Sequence, residues 1–193
     1  MAKIGVIGGG SWGTALTQLL LDNDHQCKMF TIEEEVIQSI NNDHTTKYFE
    51  GIVLHESLEA TSDLKSVVDY ADYLLLVVPT KVMRIVLKQI NECIGSKKLF
   101  INASKGIEPD TFKRMSEIVS DEINPEYLKG FVSLTGPSHA EEVILRMLTT
   151  VVSASEDISF ARDVQVLFNN NEYFRVYTST DVMGAEMGAS LKN

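Results

Sequence analysis

The chain of 193 residues is 44% hydrophobic and 23% charged, values typical of a globular protein that buries one substantial core. Its net charge of −10 argues against a general nucleic-acid surface and an anionic-membrane surface, but permits a local basic pocket for a small phosphorylated ligand. Cys27 and Cys93 lack metal-ligand spacing, so we expect no metal site and a reduced, cytoplasmic protein. No apolar run reaches the roughly 18 residues needed to cross a bilayer, so we expect no membrane partner.

The first predicted elements are a strand, a glycine-rich turn and the start of a helix. Gly8, Gly10 and Gly13 fit the pattern G-x-G-x-x-G directly after a strand-like run. In that pattern the first glycine allows the tight turn, the second lets the backbone approach a pyrophosphate, and the third allows close packing of helix on strand. The free N–H groups at the helix start also favour a bound phosphate. We therefore interpret the turn as a dinucleotide-binding site rather than an ordinary glycine-rich loop.

Strand-length apolar runs alternate with helical patterns along the rest of the chain. The predicted strands are residues 4–7, 26–31, 73–78, 99–102, 131–135, 150–154 and 174–178, the last of them an edge strand. The predicted later helices are residues 33–41, 82–93, 110–122, 140–146, 160–168 and 181–193. This alternation predicts an α/β fold, a doubly wound and mainly parallel Rossmann-type sheet with helices on both faces.

Polar residues that directly follow the predicted strands are the candidates for a site, because ligands of such sheets lie beyond the carboxyl ends of the strands. The segments in question are residues 8–13, 79–81, 102–106 and 136–139. Lys105 is a ligand-binding candidate on this rule. Ser138 is a candidate for a ligand contact, for the N-cap of the next helix, or for both roles together. Glu33 stands where an acidic group binds the ribose hydroxyls of NAD, although a favourable charge at a helix start also explains it.

Four separated motifs occur in the order found in one enzyme family. They are GGGSWGTAL at 8–16, ASKGIE at 103–108, TGPSHAEEV at 135–143 and GASLKN at 188–193. With them the chain resembles bacterial NAD(P)-dependent sn-glycerol-3-phosphate dehydrogenases over its whole length. The resemblance implies that residues 1–180 form the dinucleotide-binding domain and that residues 181–193 begin an all-helical substrate domain. Because the last helical pattern has no cap or turn, we expect the chain to be cut within that family's fold.

The resemblance also implies an activity and a set of site residues. The reaction is reversible hydride transfer between NAD(P)H and dihydroxyacetone phosphate, giving sn-glycerol 3-phosphate for glycerophospholipid biosynthesis, with a homodimer as the full-length form. By resemblance Lys192 is the general acid/base and Asn193 binds the substrate oxygen. Substrate contacts are implied for Lys105, Gly136 and Ser138. Cofactor contacts are implied for Ser11, Trp12, Tyr48, Lys105 and Ala140, beside Gly8, Gly10, Gly13 and Glu33 of the turn and the second strand.

Two positions depart from the family pattern. Many members have Arg or Lys near residue 32, which suits the 2′-phosphate of NADP, whereas this chain has no Arg or Lys between Met29 and Asn41. A 2′-phosphate there would meet the carboxylates of residues 33–35 with no cation to offset the repulsion, so the sequence favours NAD over NADP. In residues 146–150 the proline that usually precedes the threonines is missing, which affects a turn rather than the chemistry.

Two other functions stay open at this point. A non-catalytic dinucleotide-binding module would need a glycine turn but not both Lys105 and Lys192. A sister dehydrogenase for another hydroxy acid is a further alternative, which the match at residues 136–140 disfavours.

Overall fold

One sheet of eight strands runs through the residues that the computed structural model describes, 1–170 and 172–192. In chain order the strands are β1 (Lys3–Ile7), β2 (Gln26–Phe30), β3 (Glu59–Thr61), β4 (Tyr73–Leu76), β5 (Lys98–Asn102), β6 (Leu128–Thr135), β7 (Thr149–Ala154) and β8 (Phe174–Ser179). The helices are α1 (Ser11–Asp22), α2 (Glu34–Gln38), α3 (Leu64–Tyr70), α4 (Thr80–Cys93), α5 (Met115–Glu122), α6 (Ala140–Ile144), α7 (Ile158–Phe168) and α8 (Val182–Lys192). A π-helical turn, Ser39–Asp43, continues α2.

The strand order across the sheet is β3-β2-β1-β4-β5-β6-β7-β8. Strands β1 to β6 all run parallel, β7 pairs antiparallel with β6, and β8 pairs parallel with β7. The order switches between β1 and β4, because the chain winds outward from β1 to β3 and then in the other direction. The structure confirms the predicted doubly wound, mainly parallel α/β sheet, with β8 at an edge.

Helices cover both faces of this sheet, as predicted. On one face, α1 and α7 contribute buried side chains such as Leu16 and Phe168 to a core that also includes α6. On the other face, α4 and α5 contribute Leu87 and Ile118 to a second core, together with α3. Leu74, Leu75 and Leu76 of β4 lie between the two cores and are fully buried, which explains why this strand reads as a near-continuous hydrophobic stretch.

The bounds of the predicted helices differ from those in the structure, and left-handed residues explain two of the differences. The helices predicted at 82–93 and 160–168 each begin two residues earlier, at Thr80 and Ile158. The helix predicted at 110–122 begins only at Met115, because Phe112 has a φ of +57° and residues 108–113 form a hydrogen-bonded loop instead. The helix predicted at 140–146 ends at Ile144, since Arg146 has a φ of +56° and turns the chain toward β7. The helix predicted at 33–41 begins one residue later and passes into the π-helical turn.

The sequence analysis missed β3 and α3. Strand β3 has three residues and is defined by its pairing with β2, which no local pattern reports. Helix α3 places its two buried residues, Val67 and Val68, side by side rather than at helical spacing. A start signal is nevertheless present, since the Asp63 side chain accepts a hydrogen bond from the Ser66 N–H at 3.1 Å.

Candidate functional site

A cleft of about 980 Å³ lies at the carboxyl ends of the parallel strands. Its lining comes from the glycine turn after β1, from the end of β2, and from the segments that follow β4, β5 and β6. Apolar residues of α4 complete one wall. The structure therefore brings together four polar segments that are far apart in the sequence, as the strand-end rule predicts. The volume is that of a site for a ligand of cofactor size.

Two glycines of the turn, Gly8 and Gly13, are required by close backbone contacts, whereas the third, Gly10, faces open space. Gly8 has a φ of +126°, and a Cβ there would lie 2.7 Å from the Val77 carbonyl oxygen. A Cβ on Gly13 would lie 2.1 Å from the Gly8 carbonyl oxygen, so only glycine lets α1 start this close to β1. A Cβ on Gly10 would meet no atom within 4 Å. Gly10 therefore leaves room at the cleft for a ligand to approach the backbone, which is the role predicted for it.

The start of α1 offers hydrogen-bond donors to this space. Gly10 is the N-cap residue of α1 and supplies no side-chain acceptor to the first turn. The first N–H groups of a helix have no partner within the helix itself, and the positive end of its dipole lies with them. Ser11 and Trp12, which carry two of these groups, line the cleft. The arrangement fits a phosphate group without any change in the chain.

Trp12, Lys105 and Ser138 join three strand ends inside the cleft. The Trp12 indole N–H donates to the Ala103 carbonyl oxygen at 3.1 Å. The Lys105 ammonium lies 5.0 Å from the centre of the Trp12 ring and donates to the Ser138 carbonyl oxygen at 2.7 Å. Lys105 thus holds a positive charge between the segments that follow β1, β5 and β6. Trp12 also packs partly against the core, so its packing role and its place in the cleft coexist.

The Ser138 side chain is buried in the cleft wall with its hydrogen-bonding capacity unused. The residue is 2% exposed, and its hydroxyl has no hydrogen-bond partner among the described residues. The alternative that Ser138 is the N-cap of the following helix is wrong, because the N-cap of α6 is His139 and makes no side-chain cap. A buried hydroxyl without a partner is costly, which is consistent with a position that meets a ligand. Ala140 lies beside it in the cleft lining.

Glu33 lies at the end of β2 in a cluster with Lys47 and Tyr48. One Glu33 carboxylate oxygen accepts from the Tyr48 hydroxyl at 2.8 Å, and the other contacts the Lys47 ammonium at 2.6 Å. The hydrogen bond from Lys47, and then that from Tyr48, lowers the pKa of Glu33 below its ordinary value. Glu33 and Tyr48 line the cleft, where both were predicted to lie.

The expectation that no cation offsets the acidic residues 33–35 is wrong. Lys47 contacts Glu33 and lies 3.4 Å from a carboxylate oxygen of Glu35 as well. Lys47 could not be predicted from residues 29–41, because it lies on the loop that follows the π-helical turn. Its one signal is adjacency to Tyr48, which was already a candidate for the cofactor site.

Gly136 lies in a second, smaller cleft of about 510 Å³. A Cβ on Gly136 would lie 2.8 Å from the Thr150 carbonyl oxygen, so its close backbone neighbour in the structure is β7. Packing against β7 is therefore sufficient to require a glycine at this position. Small residues of α8 line the same cleft, namely Gly184, Ala185, Gly188 and Ala189. Helix α8 extends to Lys192, whose side chain lies outside the described residues, as does Asn193.

The described part of the chain contains neither a membrane-spanning helix nor a cluster of metal ligands. No helix there is long and apolar enough to cross a membrane. Nor do three or more His, Cys, Asp or Glu residues of that part come together as a metal site.

Comparisons with known proteins agree with the geometry. Residues 3–161 match the family model described as "NAD-dependent glycerol-3-phosphate dehydrogenase N-terminus". The glycerol-3-phosphate dehydrogenase [NAD(P)+] of Acholeplasma laidlawii is 52% identical over 191 residues, covering 99% of this chain and 57% of that protein. The enzyme of the same name from Streptococcus uberis is 47% identical over 192 residues, covering 99% and 56%.

Solved structures give the same result for the fold. The glycerol-3-phosphate dehydrogenase (gpsA) from Coxiella burnetii superposes with a TM-score of 0.89 at 26% identity, covering 97% of this chain and 57% of that one. The glycerol-3-phosphate dehydrogenase of Plasmodium falciparum gives 0.90 at 27% identity, covering 99% and 56%. These matches confirm the resemblance seen in the four motifs. The chain therefore belongs to the NAD-dependent glycerol-3-phosphate dehydrogenase N-terminal family, and it spans little more than half the length of the relatives that it matches.

Proposed function

We propose that this chain is the cofactor-binding part of a glycerol-3-phosphate dehydrogenase, with residues 1–180 as the dinucleotide-binding domain and residues 181–193 as the start of a helical substrate domain. The reaction is reversible hydride transfer between NAD(P)H and dihydroxyacetone phosphate, which gives sn-glycerol 3-phosphate for glycerophospholipid synthesis. The observation that carries the proposal is the cleft in which the glycine turn, Lys105 and Ser138 come together. The names of the relatives supply the substrate.

The residues of the cleft fit a dinucleotide. Gly10 leaves open space beside the first N–H groups of α1, where a pyrophosphate would be held. The Glu33 carboxylate, fixed by two hydrogen bonds, is an acceptor for ribose hydroxyls at the end of β2. When bound, the nicotinamide cofactor would supply or accept the hydride, and the protein supplies orientation and the proton.

Each polar residue near the chemistry has a separate role in this proposal. Lys105 attracts the negatively charged substrate and holds it against the cofactor. The Ser138 hydroxyl, which has no hydrogen-bond partner among the described residues, forms a hydrogen bond with the substrate. Lys192 donates a proton to the incipient alkoxide, and Asn193 binds the same oxygen through its amide. The roles of Lys192 and Asn193 are supported by the GASLKN motif.

We further propose that NADH binds more tightly than NADPH, by about tenfold. Glu33 supports this preference, because its carboxylate repels a 2′-phosphate at the position where it accepts from ribose hydroxyls. We also propose that the protein acts in the cytoplasm on a small phosphorylated substrate. The two unpaired cysteines and the net charge of −10 support that location and argue against nucleic acid as a partner.

Titration with NADH tests the proposal, because Trp12 is the single tryptophan of the chain and lines the cleft. Saturable quenching of Trp12 fluorescence is expected, and its absence would contradict the proposal. The full-length protein should in addition oxidise NADH when dihydroxyacetone phosphate is added, and Lys192→Ala should slow that turnover about 10²–10⁴-fold. NADH binding without turnover in the full-length protein would instead identify a non-catalytic dinucleotide-binding module.

A further inference from the structure

We propose that Lys47 sets how strongly the cleft discriminates against a 2′-phosphorylated dinucleotide, by neutralising Glu33 at the end of β2. The inference rests on the proposed function, since it requires a dinucleotide whose ribose lies beside Glu33. It concerns a residue outside the four motifs and outside the cleft lining. With Lys47 in place, the preference for NADH over NADPH is weaker than Glu33 alone would give.

The position of Lys47 is fixed by the residues around it. Tyr48, its neighbour, is tied to Glu33 by a hydrogen bond, and Phe49 is buried in the core. On the other side, His44 adopts a left-handed conformation and its carbonyl accepts from the Leu54 N–H at 2.7 Å. The short segment that carries Lys47 is therefore fixed on both sides, by the His44 hydrogen bond before it and by Tyr48 and Phe49 after it. Its ammonium stays close to the acidic residues because the backbone brings it there.

Without Lys47, the corner of the cleft formed by residues 33–35 would carry three negative charges and no nearby positive charge among the described residues. Residues 33–35 are three consecutive glutamates, and Lys47 contacts two of them, at 2.6 Å for Glu33 and 3.4 Å for Glu35. A phosphate group carries a charge of about −1.5 to −2 near neutral pH, so its approach to this corner depends on the net charge there. One lysine removes a full unit of negative charge beside the carboxylate that the ribose would meet.

The ion pair leaves the acceptor function of Glu33 intact. A carboxylate has about four lone-pair positions, and the contacts with Lys47 and Tyr48 occupy two of them. The remaining positions are free to accept from two ribose hydroxyls. Loss of Lys47 should therefore affect NADPH much more than NADH, because only the 2′-phosphate adds charge to this corner.

Exposure sets the size of the effect. The Lys47 side chain is 41% exposed and that of Glu33 is 42% exposed, so solvent and salt screen their field. We expect a change of about tenfold in the ratio of the two dissociation constants rather than complete loss of NADPH binding. The same screening predicts that the change becomes smaller as the salt concentration rises.

The test is to measure dissociation constants for NADH and NADPH by Trp12 fluorescence in the wild type, Lys47→Met and Lys65→Met. Lys65 is the matched control, since it pairs with Asp69 at 2.5 Å on α3 and does not line the cleft. In Lys47→Met, the dissociation constant for NADPH divided by that for NADH should rise about tenfold. The dissociation constant for NADH itself should change by less than about threefold. In Lys65→Met the ratio should equal that of the wild type.

Glu33→Gln gives the opposite change and guards against a misfolded variant. It removes the repulsive charge and leaves Lys47 in place, so the ratio should fall below the wild-type value. An unchanged ratio in Lys47→Met, or an equal change in Lys65→Met, would overturn the inference while leaving the proposed function standing. A wild-type protein that binds neither cofactor would overturn both.

Discussion

Glu186 on α8 accepts a hydrogen bond from the backbone N–H of Ser116, in the first turn of α5, at 2.9 Å. Its second carboxylate oxygen accepts from the Ser116 hydroxyl at 2.6 Å and lies 3.4 Å from Arg114. The carboxylate thus lies at the end of α5 where the helix dipole favours negative charge. Through this contact the last helix, which carries Lys192, is attached to the rest of the fold.

Removal of this attachment should destabilise the protein. Glu186 is 4% exposed, so Glu186→Ala would leave the half-buried Ser116 donors without their partner. We expect the free energy of unfolding to fall by about 1–3 kcal/mol, measured by urea unfolding. Glu186→Gln, whose amide oxygen still accepts from Ser116, should lose less. Equal stability of Glu186→Ala and the wild type would show that α8 is held by other contacts.

The same residue predicts an unusual pH dependence. Burial raises the pKa of Glu186 above its ordinary value of 4.5. The folded state therefore binds its proton more tightly than the unfolded state, and the stability from this group is full below that value and is lost as the pH rises through the folded pKa. Relative to Glu186→Gln, the wild type should become less stable as the pH rises from about 4.5. Parallel stability curves for the two proteins would contradict this.

Arg84 on α4 is the shared cation of a cluster of carboxylates, and its removal should have the opposite pH signature. Its guanidinium donates to both Glu108 oxygens at 2.8 Å, lies 3.3 Å from Asp121 and contacts Glu122. The hydrogen bonds from Arg84 lower the pKa of Glu108 to about 2. The stability from this pair is present above the ordinary pKa of 4.5 and is lost as the pH falls through the folded pKa.

We therefore expect Arg84→Met to lower the free energy of unfolding by about 1–3 kcal/mol near neutral pH and by progressively less in acid. Urea unfolding at several pH values measures the difference. Arg175→Met, at an exposed position of the edge strand β8, is the control and should change stability little. A difference that does not shrink in acid would assign the effect to packing of the arginine stem rather than to charge.

Ser138→Ala separates binding from folding. The Ser138 hydroxyl is buried without a partner, so its removal should leave stability unchanged or slightly raised. Ser133→Ala is a matched control, because the Ser133 hydroxyl is also buried and unpartnered but does not line the cleft. In the full-length protein with NAD⁺ bound, which has no hydride to give to the ketone, calorimetric titration with dihydroxyacetone phosphate should show about tenfold weaker binding for Ser138→Ala alone. Equal affinities of Ser138→Ala and Ser133→Ala for dihydroxyacetone phosphate would show that the Ser138 hydroxyl does not contact the substrate.

Gly10→Ala should fold normally and bind NADH poorly. A Cβ at this position meets no atom within 4 Å, and Gly10 has a φ of −75°, which alanine adopts readily. The added methyl group occupies space at the cleft, so NADH affinity should fall by about tenfold or more. Gly95→Ala also places its Cβ in open space, away from the cleft, and should leave NADH binding unchanged. Normal NADH binding by Gly10→Ala would show that the pyrophosphate lies elsewhere.

The sequence predicted those parts of the fold and site that depend on local patterns. The buried run of β4 and the glycine turn are visible because their chemistry is contained in consecutive residues. The strand-end rule then placed Lys105 and Ser138 in one cleft, because parallel strands bring their carboxyl ends to the same edge. Local sequence patterns and the topology of a parallel sheet were together sufficient to predict β4, the glycine turn and the cleft.

Other features depend on contacts between distant segments and could not be predicted locally. The pairing of Lys47 with Glu33 arises because the chain after α2 turns back at His44. The antiparallel direction of β7 depends on how α6 and the left-handed Arg146 return the chain, which hydrophobic periodicity does not encode. The close approach of Gly136 to β7 likewise joins two segments that are separate in the sequence.

The contact between Gly13 and the Gly8 carbonyl restricts how this gene can vary. Any single-base change that replaces a glycine codon introduces a residue with a Cβ, or a stop codon. At position 13 that carbon would lie 2.1 Å from the Gly8 oxygen, too close for any rotamer to relieve. A substitution at position 13 therefore requires the turn at Gly8 or the start of α1 to move, and we expect few amino acids to be tolerated at this codon.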